Sequence, residues 1–200
     1  MTPRSGLAPG EFRVSKGETA VTLMSTHYPD PTRIEPVNRH TLAVVVDNEP
    51  GVLARIAGMF SGRGYNIESL TVTETEHEAH ISRITIVTTG TNSIIQQIKS
   101  QLERLVPVHR VVDLTLTGDA VERELCLVKV VGKGEHRVEA MRLASAFGAR
   151  TLDATLTSFV YELTGTTEEV ERFIALMTAV GLVEVSRTGI AAMARGAQGL

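Results

Sequence analysis

The residues whose types and spacing could bind a ligand are concentrated in residues 47–70. A buried strand is predicted to run there into a helix through Asn48, Pro50 and Gly51. Such a loop presents unpaired backbone N–H groups and the positive end of the helix, which together can anchor a carboxylate. Gly51 has no side chain that would keep a ligand from the backbone. The segment therefore has the features of an anion-binding turn.

Amide and aliphatic side chains accompany this turn. Asn48 and Asn66 offer amide oxygens that can accept hydrogen bonds from an α-ammonium group. Leu53 and Ile67 are candidates for apolar walls. The set suits a small free amino acid with an aliphatic side chain. The residues alone leave a second interpretation open, in which Asn48 caps the helix, Gly51 permits the turn and Asn66 ends a loop without any ligand.

The other chemistry-bearing motifs do not assemble a catalytic centre. The histidines of HEAH at residues 77–80 lack the i, i+4 spacing of a helical metal site, so a solvated turn is predicted. The segment GKG at residues 132–134 lacks the spacing and the following Ser or Thr of a phosphate loop, and it is predicted to be a strand-to-helix turn. Cys126 alternates within an apolar strand and is predicted to be a small core residue.

Two further enzymatic motifs are absent or incomplete. The sequence contains no Gly-x-Ser-x-Gly elbow, and the Gly-Asp pair at residues 118–119 lacks the continuation of a thiamine-diphosphate site. We therefore predict no catalytic residues and no metal ligands.

The amino-acid composition and net charge argue against several classes of protein. The 200 residues are 42% hydrophobic and 22% charged, which is ordinary for a globular protein. The net charge of −3, without a long basic block, gives no indication of a nucleic-acid partner. The apolar runs are too short to span a membrane. The single cysteine cannot form an internal disulfide, which favours a reducing compartment.

Residues 1–39 differ from the rest of the chain. They contain five of the seven prolines and little hydrophobic periodicity, so a disordered or loosely ordered leader is predicted, with a short strand at 12–14 or 19–24 as the alternative. No apolar segment resembles a secretory signal, and the acidic residues argue against an organelle transit peptide. We expect a cytoplasmic protein.

Residues 40–117 carry the pattern of one small α+β domain in the order βαββαβ, the split-βαβ ferredoxin-like arrangement. Strands are predicted at residues 41–46, 66–74, 80–88 and 108–116. The first helix follows a turn, and Asn48 is expected to cap this helix. Its apolar stripe consists of Leu53, Ile56, Ala57 and Phe60. A second amphipathic helix runs from Ile94 to Leu105, and Pro107 is expected to stop it.

Residues 118–200 repeat this order with little sequence similarity. Strands are predicted at residues 124–131, 151–157, 159–164 and 182–186. The apolar stripes of the two helices are Val138, Met141, Ala144 and Phe147 in one, and Val170, Phe173, Ile174 and Met177 in the other. The fold class is thus α+β, with two tandem ferredoxin-like domains joined near residues 117–123 and an unassigned tail at 188–200.

A family resemblance rests on these segments. VVVDNEPGVL at residues 44–53 resembles the beginning of an ACT domain, an amino-acid-binding βαββαβ module, although much of that superfamily has Asp at the position of Asn48. FSGRGYNIESLTV at residues 60–72 resembles the small subunits of acetolactate synthase nearly residue for residue. The likeness spans about residues 40–196, through further matches at 82–83, 101–106, 122–129, 186–189 (a predicted turn) and 194–196.

The resemblance implies a function. The large catalytic subunit of that family holds thiamine diphosphate, Mg²⁺ and FAD, and condenses two pyruvates or pyruvate with 2-oxobutyrate. The small subunit has no cofactor, raises that activity and makes it sensitive to a branched-chain amino acid, commonly L-valine, otherwise leucine or isoleucine. ACT domains pair edge to edge as a homodimer with the effector at the interface. By position, one chain would contribute Asn48, Gly51, Val52 and Leu53, and its partner Asn66 and Ile67.

Three alternatives remain beside this interpretation. A stand-alone ACT sensor or transcriptional regulator would need a DNA-binding helix or a basic face, which the sequence lacks. A self-sufficient enzyme would need a catalytic cluster. A structural partner could have lost effector binding. We expect the exposed ACT helices to contribute to the catalytic-subunit contact and the C-terminal domain to tune the effector response.

Overall fold

The computed structural model describes residues 35–200, except positions 77, 79, 117 and 119. Within this part the chain forms two four-stranded antiparallel sheets, each with helices on one face. The predicted α+β class with two βαββαβ units is confirmed. The domain limits at 40–117 and 118–200 remain a proposal, and the predicted leader lies outside the described residues up to position 34. None of the described helices combines the length and apolar character of a membrane span.

The N-terminal module comprises the first sheet and its two helices. Its elements are β1 Asn38–Asp47, α1 Val52–Gly62, β2 Ser69–Glu76, β3 Ile81–Gly90, α2 Asn92–Leu102 and β4 Val108–Asp113. The strand order β2-β3-β1-β4 places β1 and β3 in the centre and leaves β2 at an edge. Alternate residues of β1 (Leu42, Val44 and Val46) face the helices, where Ile56 and Phe60 of α1 complete the core.

Two predicted boundaries of this module are wrong at its N-terminal side. β1 begins at Asn38, inside the predicted leader, and the Glu35 carboxylate accepts hydrogen bonds from the N–H and hydroxyl of Ser93 in α2. The N-cap of α1 is Gly51 and no side chain caps it, so the prediction that Asn48 caps this helix is wrong. Asn48 stands three residues before this N-cap.

The predicted end of the second helix is also too late. α2 ends at Leu102, and a tight turn follows in which the N–H of Leu105 donates to the carbonyl of Leu102 at 3.0 Å. Pro107 therefore stands directly before β4, beyond this turn, and does not stop the helix. Leu105 still packs against the core from this turn, which explains why it continued the apolar pattern.

The C-terminal module repeats the topology. Its elements are β5 Ala120–Val131, α3 Glu135–Ala146, β6 Arg150–Ala154, β7 Ser158–Gly165, α4 Thr167–Thr178 and β8 Leu182–Ala194, with strand order β6-β7-β5-β8. The predicted buried face of α4 is confirmed for Val170, Phe173 and Met177.

The predicted buried stripe of α3 is wrong in part. Val138 and Met141 are 50% and 52% exposed, whereas Ala140 and Ala144 are buried. The two alanines allow the helix to lie close to the sheet, in the core that includes Tyr161. The large apolar side chains did not identify the sheet-facing side of α3, because the smaller side chains point towards the sheet.

The two modules are joined by a ribbon that the sequence did not predict. β8 continues past the predicted end at residue 186, and its residues 190–194 pair with residues 120–124 of β5. This ribbon (residues 120–124 and 190–194) packs through Ile190 and Ala192 on the face of the first sheet that lies opposite the helices. Parts of the segments interpreted as a linker and an unassigned tail, residues 120–123 and 190–194, thus cover the N-terminal module. Residues 186–189 belong to β8 rather than to a turn.

Candidate functional site

The first half of the predicted site is the uncapped N-terminus of α1. Gly51 occupies the N-cap with a φ of 91°, and the first turn of α1 holds no acidic residue. By contrast, Thr91 and Thr166 cap α2 and α4 with their hydroxyls, and Glu135 lies in the first turn of α3. Among the four described helices, α1 is therefore the one with neither a capping side chain nor an acidic residue in its first turn.

The loop before α1 is held by its neighbours in the sheet. The N–H of Asn48 donates to the carbonyl of His80 at 2.6 Å, and the N–H of Asp47 donates to the carbonyl of Pro107 at 2.8 Å. The Asp47 carboxylate lies 2.7 Å from Nε2 of His109. Strand-end contacts thus fix the backbone of the loop, while the Asn48 side chain is exposed.

The residues around Gly51 differ in what they can offer a ligand. A Cβ placed on Gly51 meets no atom within 4 Å, so the space above it is open in a single chain. Leu53 is 43% exposed and can form an apolar wall. Val52 is only 4% exposed, because its side chain packs in the core. Of the predicted residues, Val52 can therefore contribute its backbone but not its side chain.

The second half of the predicted site lies between α1 and β2. Asn66 is exposed, and Ile67 is half-buried against the core. The carbonyl of Asn66 accepts a hydrogen bond from the Thr88 hydroxyl at 2.6 Å. His40 lies opposite Thr88 in the sheet, and its Nδ1 is 2.8 Å from the Asp113 carboxylate. A buried polar row across three strands thus supports the backbone at Asn66.

One chain does not bring the two halves together. Asn66 is tied to the beginning of β1 through Thr88, the cross-strand partner of His40, whereas Asn48 follows the end of β1. With a rise of about 3.3 Å per residue, the segment from His40 to Asp47 spans about 23 Å. Asn48, Gly51 and Leu53 are therefore near one end of the sheet, and Asn66 and Ile67 are near the other.

A cavity between the modules adjoins the second half of the site. Its volume is about 610 Å³, and its lining includes Glu68 and Ser69, which follow Ile67 directly. Arg39 reaches both Glu68 at 3.4 Å and Glu122 at 3.5 Å across this boundary. The cavity is therefore walled by paired charges that belong to both modules.

The strongest charge pair of this cavity joins Glu124 of β5 to Arg187 of β8. Nε and Nη2 of Arg187 donate to the two carboxylate oxygens at 2.6 and 2.7 Å, and Glu124 is 4% exposed. The hydrogen bonds that Arg187 donates to the Glu124 carboxylate raise the pKa of Arg187. Sequence reasoning missed this pair, although Glu124 stands on the core-facing side of an alternating strand, where an acid requires a partner.

The structure also decides several minor sequence predictions. Cys126 is fully buried in the core, as predicted, and burial raises the pKa of its thiol. The predicted turn at residues 132–134 is confirmed between β5 and α3. Glu78 and His80 lie in the turn between β2 and β3, while position 77 is outside the described residues. Among the described residues, no group of three or more His, Cys, Asp or Glu side chains is arranged to hold a metal ion.

Each of the two modules matches a known protein family. A family model described as AHAS small subunit-like ACT domain matches residues 42–110. A second model, described as small subunit of acetolactate synthase, matches residues 123–196.

Individual relatives agree with these matches. A probable acetolactate synthase small subunit of Archaeoglobus fulgidus is 46% identical over 158 residues, which cover 79% of this chain and 98% of the relative. The isozyme 3 small subunit of Salmonella typhimurium is 42% identical over 159 residues, covering 79% and 96%. The crystal structure of the small subunit from Thermotoga maritima has a TM-score of 0.73 at 36% identity and covers 80% of this chain and 99% of that chain. This chain, with an ACT module at its N-terminal side, therefore belongs to the family of acetolactate synthase small subunits.

Proposed function

We propose that this chain is a regulatory subunit of acetolactate synthase in the biosynthesis of valine, leucine and isoleucine. It raises the activity of a large catalytic subunit that carries thiamine diphosphate, Mg²⁺ and FAD, and it makes that subunit sensitive to feedback inhibition. The effector is a branched-chain amino acid, with L-valine as the first candidate. The chain itself supplies no catalytic residue, and its place of action is the cytoplasm.

The uncapped N-terminus of α1 is the observation that carries this proposal. Its N–H groups and positive end suit the carboxylate of an amino acid. The exposed amides of Asn48 and Asn66 suit the α-ammonium group, and Leu53 with Ile67 suits a short aliphatic side chain. These apolar walls favour an aliphatic side chain over a charged one.

Two copies of the chain are needed to complete such a site. The two halves lie about 23 Å apart along β1, so the loop of one chain has to meet Asn66 and Ile67 of another. β2 supports this arrangement, because it is an edge strand that begins beside Ile67 and displays Val72 at 46% exposure. An exposed edge strand is a ready surface for pairing with a second copy. We therefore propose a homodimer formed through the N-terminal modules.

Inhibition then follows from linkage. The effector binds one arrangement of the paired modules more tightly than another, and that arrangement supports the catalytic subunit less well. Couplings of about 1–3 kcal/mol are typical of allosteric proteins and correspond to effects of about 5-fold to 150-fold.

The substitution Gly51→Asp tests where the effector binds. The new carboxylate would stand at the helix end proposed to hold the effector carboxylate, so we expect inhibition by valine to be lost while activation of the catalytic subunit persists. Gly196→Asp is the matched control, because Gly196 has a similar φ of 92° and equally open surroundings but lies far along the chain. Undiminished inhibition in Gly51→Asp would refute the placement of the site.

Mixing two variants tests whether the site is shared between chains. Gly51→Asp and Asn66→Ala should each abolish the valine response as homodimers. In a heterodimer, one of the two sites receives both substitutions and the other receives neither, so mixed chains should regain part of the response. If the site lay within one chain, each copy would remain defective and mixing would restore nothing.

A further inference from the structure

β2 and β8 are hydrogen-bonded at the point where β2 begins. The Ser69 hydroxyl oxygen accepts from the N–H of Ile190 at 3.2 Å. The Thr71 hydroxyl donates to the carbonyl of Thr188 at 3.3 Å. These contacts join strands of different modules that are more than 100 positions apart in the sequence. β2 is therefore attached to the C-terminal module within the first three residues of the strand.

Gly189 makes this close approach possible. Its φ is 77°, and a Cβ on this residue would lie 2.6 Å from Oγ of Ser69 and 2.9 Å from Oγ1 of Thr71. Separations below about 3 Å are repulsive for a carbon atom, so a side chain here would push the strands apart. The backbone of β8 thus rests directly on the two hydroxyls of β2.

Thr188 continues the connection into the second sheet. While its carbonyl accepts from Thr71, its hydroxyl accepts from the N–H of Leu125 at 3.2 Å and lies 3.3 Å from the Leu125 carbonyl. Its neighbour Arg187 is held by the buried carboxylate of Glu124. Hydrogen bonds through Thr188 therefore connect β2 directly to β5.

The same point is adjacent to the proposed effector site. Ser69 is two residues after Ile67, and β2 begins with it. Any change in the position of Asn66 and Ile67 on effector binding has to be accommodated at the beginning of β2.

We propose that this β2–β8 joint (Ser69, Thr71 and residues 188–190) transmits effector occupancy from the N-terminal to the C-terminal module. Ser69, Thr71 and Thr188 act as positioning residues and do not touch the effector. This inference rests on the proposed function, and it adds the physical route by which the C-terminal module responds. The coupling differs from binding, so the two can be separated by experiment.

Two sets of variants break the joint from opposite sides. The double substitution Ser69→Ala/Thr71→Val removes the hydroxyls of β2, and Thr188→Val removes the contact with Leu125 while it keeps the carbonyl of residue 188. Thr71→Ser retains the hydroxyl and serves as the conservative variant. Thr73→Val is the same-face control, because Thr73 is exposed on β2 and takes no part in the joint.

Three quantities are measured for each variant. They are the valine dissociation constant of the small subunit alone, the activation of the catalytic subunit without valine, and the residual activity at saturating valine. We expect the first two to stay within about twofold of the unmodified chain. The third should rise by about fivefold or more in both joint-breaking variants, in line with the loss of a typical coupling, and it should not change in Thr71→Ser or Thr73→Val.

Distinct results would overturn the inference. Unchanged inhibition in Ser69→Ala/Thr71→Val and Thr188→Val would show that the joint carries no coupling. Loss of valine binding by the small subunit alone would show that these residues shape the site and do not transmit its occupancy. A failure of the proposed function appears differently, since the unmodified chain would then bind no branched-chain amino acid, and the joint would have nothing to transmit.

Discussion

The two modules share one topology but differ at the N-terminus of their first helix. Gly51 and Gly134 both occupy the N-cap with positive φ, at 91° and 57°. The loop before Gly51 exposes Asn48 and leads to a first turn without an acid, whereas Glu135 follows Gly134 directly. An acidic side chain near a helix N-terminus already satisfies its positive end. Under the proposed function, this difference explains why the N-terminal module and not the C-terminal one binds the effector carboxylate.

The modules also differ on the sheet face that lies opposite the helices. The ribbon covers this face of the first sheet, with Ile190 and Ala192 in a buried cluster. On the second sheet, Lys129 pairs with Glu184, and Arg150 with Glu162 at 3.0 Å, on strands whose other residues face the helices. Residues of the C-terminal module thus bury the helix-free face of the first sheet, whereas ion pairs occupy the corresponding face of the second sheet.

The largest expected effect compares one aromatic core residue from each module. Phe60→Ala and Phe173→Ala each remove a side chain that is at most 1% exposed, so each should lower the free energy of unfolding by about 3–5 kcal/mol. Because the ribbon belongs to the second sheet and packs on the first, we expect both to shift one common transition in urea, followed by circular dichroism and by labelling of Cys126. Two transitions, each sensitive to only one substitution, would show that the ribbon does not couple the two modules.

A smaller effect is expected from the charge pair beside the joint. Arg187→Met leaves the Glu124 carboxylate buried without its guanidinium partner, which should cost about 2–3 kcal/mol of unfolding free energy. Adding Glu124→Leu should recover part of this loss, because the uncompensated charge is then removed. Urea unfolding at fixed protein concentration measures both. An equal or greater loss in the double variant would mean that packing, and not charge, dominates here.

The smallest effect contrasts the caps of the corresponding second helices. Thr166 and Glu169 form a reciprocal capping box on α4, whereas Thr91 accepts from the N–H of Ile94, whose side chain has no acceptor to bond back. Thr166→Ala should therefore cost about 1 kcal/mol, and Thr91→Ala about 0.5 kcal/mol. Thermal unfolding of the two variants measures the difference, and equal losses would argue against a role for the box.

The same cap predicts a pH effect. The pKa of Glu168 is lowered by a hydrogen bond from its own backbone N–H and by one from the Thr166 hydroxyl. Because the folded-state pKa is lowered, this contribution to stability is present above the unfolded-state pKa and is lost as the pH falls. Thr166→Ala should raise the pKa of Glu168, which an NMR titration of its carboxyl carbon can follow. An unchanged pKa would show that the Thr166 hydroxyl does not contribute to the lowered pKa of Glu168.

Much of the fold could be predicted from the sequence where large apolar side chains set the period. Ile56 and Phe60 in α1, and Val170 and Phe173 in α4, are buried as their spacing indicated. The inner face of α3 was missed, because its buried residues are alanines and the apolar pattern contains larger side chains outside. Periodicity reports the inner face only when the largest residues occupy it.

Features that depend on contacts distant in sequence could not be predicted. The second half of β8 is rich in small residues, and it is a strand because residues 120–124 pair with it and the first sheet lies beneath it. The predicted site residues lie near opposite ends of the first sheet, as the βαββαβ topology implies. The burial of Val52 and the support of Asn66 by Thr88 became visible only in the packing.

The rate of acetolactate formation by the cognate catalytic subunit tests the central claim most directly. It would be measured with and without this chain, and then with valine, leucine or isoleucine added. We predict that the rate rises when the chain is added and that one of these amino acids reverses the rise. The absence of any rise, or a rise that none of the three reverses, would contradict the assignment of this chain as the effector-sensing regulatory subunit.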